Sequence, residues 1–141
     1  MTLTLQRSHE SLKATEQVRA VAFDAYGTLF DVFSVQARAD EMFPGSGAAI
    51  AQSWRTKQID YTRLRSMAGQ YEPFSIVTEQ ALKATLADLE LSASPVVVTQ
   101  LAHEYQSLTP YPETREALEA LSAMGIPRVV LTNGERDLMI T

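Results

Sequence analysis

Phe23-Asp24-Ala25-Tyr26-Gly27-Thr28-Leu29-Phe30-Asp31-Val32 is the stretch that decides how this chain is read. Just before it runs Val18-Arg19-Ala20-Val21-Ala22-Phe23, apolar without the alternation of a half-wet strand. Such a run predicts a strand buried on both faces of a parallel sheet. It ends on a carboxylate, Asp24, and Gly27 supplies a turn directly after. A carboxylate is a usable nucleophile when amides orient it and water is partly excluded. Gly27 permits the tight turn that aims amides back at a pocket. The hydroxyl of Thr28 is placed to hydrogen-bond the Asp24 carboxylate and hold its rotamer, with an ordinary turn or helix cap as its other reading.

A second strand signal, Pro127-Arg128-Val129-Val130-Leu131, also ends on polar residues, Thr132-Asn133-Gly134. In open α/β sheets ligands bind outside the carboxyl ends of the strands, which predicts Asp24 and Thr132-Asn133 side by side at one rim. A helical insertion separates the two strands. Ile50, Trp54, Tyr61, Leu64 and Met67 recur at helical spacing as one amphipathic face. Phe43-Pro44-Gly45-Ser46-Gly47 breaks the chain before that helix, and Gly69 and Pro73 break it after. Ser75 is placed to cap a helix over Ile76 to Leu91. Ser94-Pro95 opens another helix, to about Leu108. A further helix from about Pro112 to Met124 stops at Gly125. The order predicts an α/β fold.

Composition narrows the function classes. The 141 residues carry a formal net charge of -5, which disfavours a nucleic-acid partner. There is no cysteine, so no disulfide framework and no thiolate metal site. No apolar run approaches the roughly 20 residues of a membrane span, and the first residues lack a hydrophobic signal region. A cytoplasmic enzyme is the expectation. His9 reads as part of a polar lead-in and His103 as an ordinary helix residue.

The stretch around Asp24 resembles the first motif of the haloacid dehalogenase superfamily: an apolar strand, a nucleophilic Asp, then Gly-Thr-Leu. Phosphatases of that superfamily carry a second Asp where this chain has Tyr26. A tyrosine, with a pKa of about 10, cannot shuttle that proton at ordinary pH, but it can wall an apolar pocket. Trp54-Arg55-Thr56-Lys57-Gln58-Ile59-Asp60-Tyr61-Thr62, Leu64-Arg65-Ser66, Tyr71 and Phe74 are similar to the helical cap of the (S)-2-haloacid dehalogenases. Leu131-Thr132-Asn133-Gly134 resembles the second superfamily motif, with Thr132 in place of the usual serine.

The resemblance implies a haloacid dehalogenase-like, Rossmann-type parallel sheet core with a helical cap inserted after the first strand. The implied division is a lead-in over 1–17, a partial core over 18–33 and 109–141, and a cap over 34–108. It implies Asp24 as nucleophile and Arg55 as the guanidinium that aids halide departure and meets the substrate carboxylate. Asn133 would contact the halide. Thr132 and the amides near Ala25 and Tyr26 would bind the carboxylate. Ile59 and Phe74 would line the pocket for the carbon chain, with simple packing as their other reading. The implied partners are a small 2-haloacid and halide, and the implied metal and cofactor are none.

The family continues through third and fourth motifs that this sequence does not contain. The chain therefore reads as a C-terminally truncated version, with an open strand edge that favours a homodimer and little hydrolysis by the chain alone. Two other readings stand beside the dehalogenase: a phosphatase of the same superfamily, and a catalytically inactive fragment serving as a binding or oligomerising module.

Overall fold

The computed structural model describes residues 18–135. The expectations for the lead-in over 1–17, His9 included, and for residues beyond Glu135 lie outside them. Seven regular elements follow in order: β1 (Val21–Phe23), α1 (Val35–Met42), α2 (Gly47–Met67), α3 (Phe74–Asp88), α4 (Pro95–His103), α5 (Thr114–Ala123) and β2 (Arg128–Val130). The strands pair in parallel, Val21 opposite Arg128, Ala22 opposite Val129 and Phe23 opposite Val130. That register ends both strands at the same rim, so Asp24 and the Thr132-Asn133 segment leave the sheet side by side.

The packed interior lies among the helices. Ile50, Trp54, Val77, Leu82 and Leu101 are the largest apolar side chains fully out of water, and all come from α2, α3 and α4. Residues of the first loop, Ala25, Tyr26 and Val32, join this interior. Truncating one such residue, Leu82→Ala for example, costs about 2–5 kcal/mol through lost transfer energy and the cavity left behind.

The expectation of strands buried on both faces is corrected. Val21 and Phe23 are half-buried, and every residue of β2 is exposed. A strand is buried only where packed layers cover both faces, and α1 to α4 pack mainly on one another, while α5 buries no residue.

The helix readings hold in outline and shift at their ends. The face expected on α2 is buried at Ile50 and Trp54, but Leu64 and Met67 are exposed because the helix runs on past the core. Ser75 does not cap α3: Pro73 holds that position in extended conformation, and the helix begins at Phe74. Ser94 does cap α4, its Oγ accepting from the Val97 amide at 3.3 Å. That helix ends at His103, and a short 3-10 turn over Glu104–Gln106 replaces its expected last turn. The expected fourth helix, α5, stops before Gly125, whose φ of +68° suits a glycine. Helix α1 was not foreseen. The Phe43 to Gly47 break separates it from α2, and Asp40 holds the break by accepting from the amides of Gly45 at 3.1 Å and Gly47 at 3.0 Å.

Candidate active site

Asp24 follows the last residue of β1 and is exposed. Its Oδ1 accepts from the amide of Ala25 at 2.8 Å. This corrects the expectation for Thr28, which is exposed and does not hold the carboxylate. The loop is tightened instead by the Ala25 carbonyl, which accepts from the amides of Leu29 and Phe30, each at 3.0 Å. Gly27 takes φ +94°, a conformation that suits glycine. A Cβ there would lie 3.6 Å from the Arg55 guanidinium, so arginine and loop are in close approach.

Arg55 bridges helix and loop. One nitrogen donates to the carbonyl of Tyr26 at 2.9 Å, the other to Oε1 of Gln58 at 2.8 Å. Gln58 is fully buried, and its amide donates to the Thr78 hydroxyl at 2.7 Å. The Trp54 indole donates to the Thr78 carbonyl at 2.8 Å. A run of hydrogen bonds thus carries Arg55 through Gln58 to α3. Sequence reasoning missed Gln58 as a positioning group. The signal was its place three residues after Arg55, on the same turn of helix.

One cavity of about 320 Å³ is lined by Asp24, Arg55, Asn133, Tyr26, Ile59 and Phe74, among others. Six of the expected site residues therefore meet. Ala25 lies beneath them, fully buried. Thr132 lines a neighbouring cavity of about 230 Å³, with Asn133 and Phe74 common to both. Its hydroxyl accepts from the Gly134 amide at 3.1 Å. Arg63, which sequence reasoning passed over, also lines the Asp24 cavity. It lies on the same side of α2 as Arg55 and Ile59, a spacing that was available from the sequence.

The apolar wall is built from rings. Tyr26 stacks on Phe74 with centroids 4.8 Å apart, and Tyr105 lies 6.0 Å from Tyr26 and 4.7 Å from Trp54. Burial raises the Tyr26 pKa, the nearby Glu135 carboxylate adds to the rise, and Arg55 partly offsets it. The phenol is therefore a neutral wall at ordinary pH and no proton shuttle. Glu135 also accepts from the Ser75 amide at 2.9 Å, linking the segment after β2 to the start of α3. Nothing in the local sequence signalled that contact. Among the described residues no cluster of three or more metal-binding side chains occurs, and no helix is long and apolar enough to cross a membrane.

The chain is 42% identical over 119 residues to an (S)-2-haloacid dehalogenase of Pseudomonas putida, covering 84% of this chain and 52% of that protein. It is 39% identical over 122 residues to haloacetate dehalogenase H-2 of Moraxella sp. (strain B), covering 86% of this chain and 54% of that protein. Among solved structures, L-2-haloacid dehalogenase from Xanthobacter autotrophicus with chloropropionic acid covalently bound matches with a TM-score of 0.81 at 41% identity. That match covers 87% of this chain and 49% of the other. The chain thus spans about half the length of the curated relatives it matches. A family model for haloacid dehalogenase-like hydrolases matches residues 18–139, from the strand that delivers Asp24 past the segment that delivers Asn133, and the chain belongs to that family.

Proposed function

We propose that the whole protein, in the cytoplasm, hydrolyses (S)-2-haloalkanoic acids to (R)-2-hydroxy acids through an ester on Asp24. The observation that carries this reading is the single cavity in which Asp24, Arg55 and Asn133 face an apolar wall of Tyr26, Ile59 and Phe74. Both the relatives and the covalent complex of the Xanthobacter enzyme support it.

The chemistry follows from the groups present. The Ala25 amide holds Asp24 Oδ1, and a carboxylate oxygen attacks C2 of the substrate from the side opposite the halogen. The new C–O bond forms as the C–halogen bond breaks, the halide takes the electron pair, and C2 inverts. The Arg55 guanidinium and the Asn133 amide stabilise the departing anion by donated hydrogen bonds. Water then attacks Cγ of Asp24. The ester C–O bond breaks, a proton is released, and the carboxylate is restored. No phosphoryl charge has to be neutralised, so no metal is required by this route.

The test is a single turnover of (S)-2-chloropropionate in heavy-oxygen water, followed by mass analysis of the peptide carrying Asp24. The label is expected in Asp24. Label only in the product after repeated turnovers, with none in the protein, would mean direct attack by water. Activity lost to EDTA and restored by magnesium would favour the phosphatase reading instead.

A further inference from the structure

A second space lies behind the site. A chamber of about 210 Å³ opens between α3 and α4, lined by Tyr26, Phe74, Thr78, Ala102, His103 and Tyr105, among others. Tyr26 and Phe74 therefore form the wall between this chamber and the Asp24 cavity. Phe74 also bounds the neighbouring cavity beside Thr132, which makes its ring the common partition of three spaces. It is the first residue of α3, where the chain turns out of Pro73, and its ring leans on Tyr26 at 4.8 Å.

The polar groups of the Asp24 cavity, namely Asp24, Arg55 and Asn133, fix where the reacting end of a carboxylic acid lies. Its carbon chain then points at the aromatic wall. The space beyond is walled by the rings of Tyr26, Phe74 and Tyr105 and the Ala102 methyl, with Ser75, Thr78, Glu79, Thr99, His103 and Gln106 completing its lining, and Tyr105 there is 5% exposed with a hydroxyl that has no partner among the described residues. An alkyl chain entering it loses its hydration cost against the rings and the Ala102 methyl.

We propose that this chamber is an alkyl-chain subsite and that Phe74 partitions it from the Asp24 cavity, so setting the longest chain the site accepts. The inference rests on the haloacid reading for its carboxylate end, and the partition itself is read independently.

Trp54 is the chain's one tryptophan and lies against Tyr105, so its fluorescence reports occupancy of the chamber. The protein and its Phe74→Ala variant are titrated with propionate, butanoate, hexanoate and octanoate, and in parallel with 1-butanol and 1-hexanol. Affinity for the carboxylates should level off after butanoate in the parent protein. In Phe74→Ala it should keep rising, about fourfold per added methylene, through hexanoate. The alcohols should show the same gain. Adding Ala102→Leu, which fills the chamber, should cancel it, and Phe74→Leu gives an intermediate profile if the alanine variant folds poorly. Identical chain-length profiles for parent and Phe74 variants, or an affinity that climbs through octanoate in the parent, would overturn the partition. Alcohols that follow the expected pattern while no carboxylate binds either protein would uphold the partition and count against the haloacid reading.

Discussion

Arg55 on α2 donates to the carbonyl of Tyr26 at 2.9 Å, tying the long helix to the loop two residues beyond Asp24. The same planar fork reaches Gln58 with its other nitrogen. Lysine would keep the charge and lose the fork. Arg55→Lys should therefore lower halide release by about a hundredfold, the scale of a displacement near 1 Å. Steady-state kinetics with (S)-2-chloropropionate measure it. Near-parental turnover would make Arg55 a strut between helix and loop and nothing more.

Gln58 holds the inner end of that link. Fully buried, it joins Arg55 to the Thr78 hydroxyl. Gln58→Leu keeps the volume roughly constant and leaves the Thr78 hydroxyl unpaired. Losing a partner inside the core costs about 1–3 kcal/mol, so urea unfolding should move to a lower midpoint with an unchanged slope. Halide release should fall as well, since Arg55 is left with one anchor. An unchanged midpoint would show that Thr78 finds another partner.

Much of this site was legible because its residues sit at points of local constraint. Asp24 ends an apolar run before a glycine, and Asn133 ends another, so their meeting follows from parallel pairing alone. Arg55 and Phe74 were legible only through the resemblance. The misses have physical causes. Periodicity marks a helix face but not how far the core extends along it, so Leu64 and Met67 were assigned inward and lie exposed. Apolar strand residues signal burial only when another layer covers them, and among the described residues no layer covers Val129 and Val130. Thr28 was assigned to Asp24 by proximity in sequence, whereas the Ala25 amide makes the contact. The Glu135 to Ser75 contact spans 60 positions and carries no local signal.

Arg63 gives a prediction of a different kind. The chain carries a formal net charge of -5, yet Arg55 and Arg63 both line the Asp24 cavity, where the proposed substrate is an anion. Arg63 is exposed and forms no ion pair among the described residues. A charge at a rim acts mainly on encounter and is screened by salt. Arg63→Gln should raise KM about threefold to tenfold at low ionic strength, leave kcat near the parental value, and flatten the rise of KM with added salt. Equal salt dependence in both proteins would remove Arg63 from substrate capture.

Tyr105 makes a prediction about stability. Its phenol is buried between Trp54 and Tyr26 without a hydrogen-bond partner among the described residues. Burial is the main reason its pKa is pushed up from 10.0 to about 12, with Arg55 opposing the rise. The folded state therefore keeps the phenol protonated over a range in which the unfolded chain ionises it. This contribution to stability is fully present below pH 10 and is lost as pH rises from 10 to about 12. The loss from this group should be on the order of 2 kcal/mol. Tyr105→Phe removes both the titration and the unpaired hydroxyl. At pH 7 it should be neutral or stabilising, by up to about 1 kcal/mol, because no partner is left behind. Its fall in stability above pH 10 should be shallower than the parent's. Urea unfolding of both proteins between pH 7 and pH 11.5 reads the two effects together. A destabilised variant at pH 7 would mean the hydroxyl has a partner, such as a trapped water. Parallel pH profiles would place the alkaline loss on Tyr26, whose pKa is also raised.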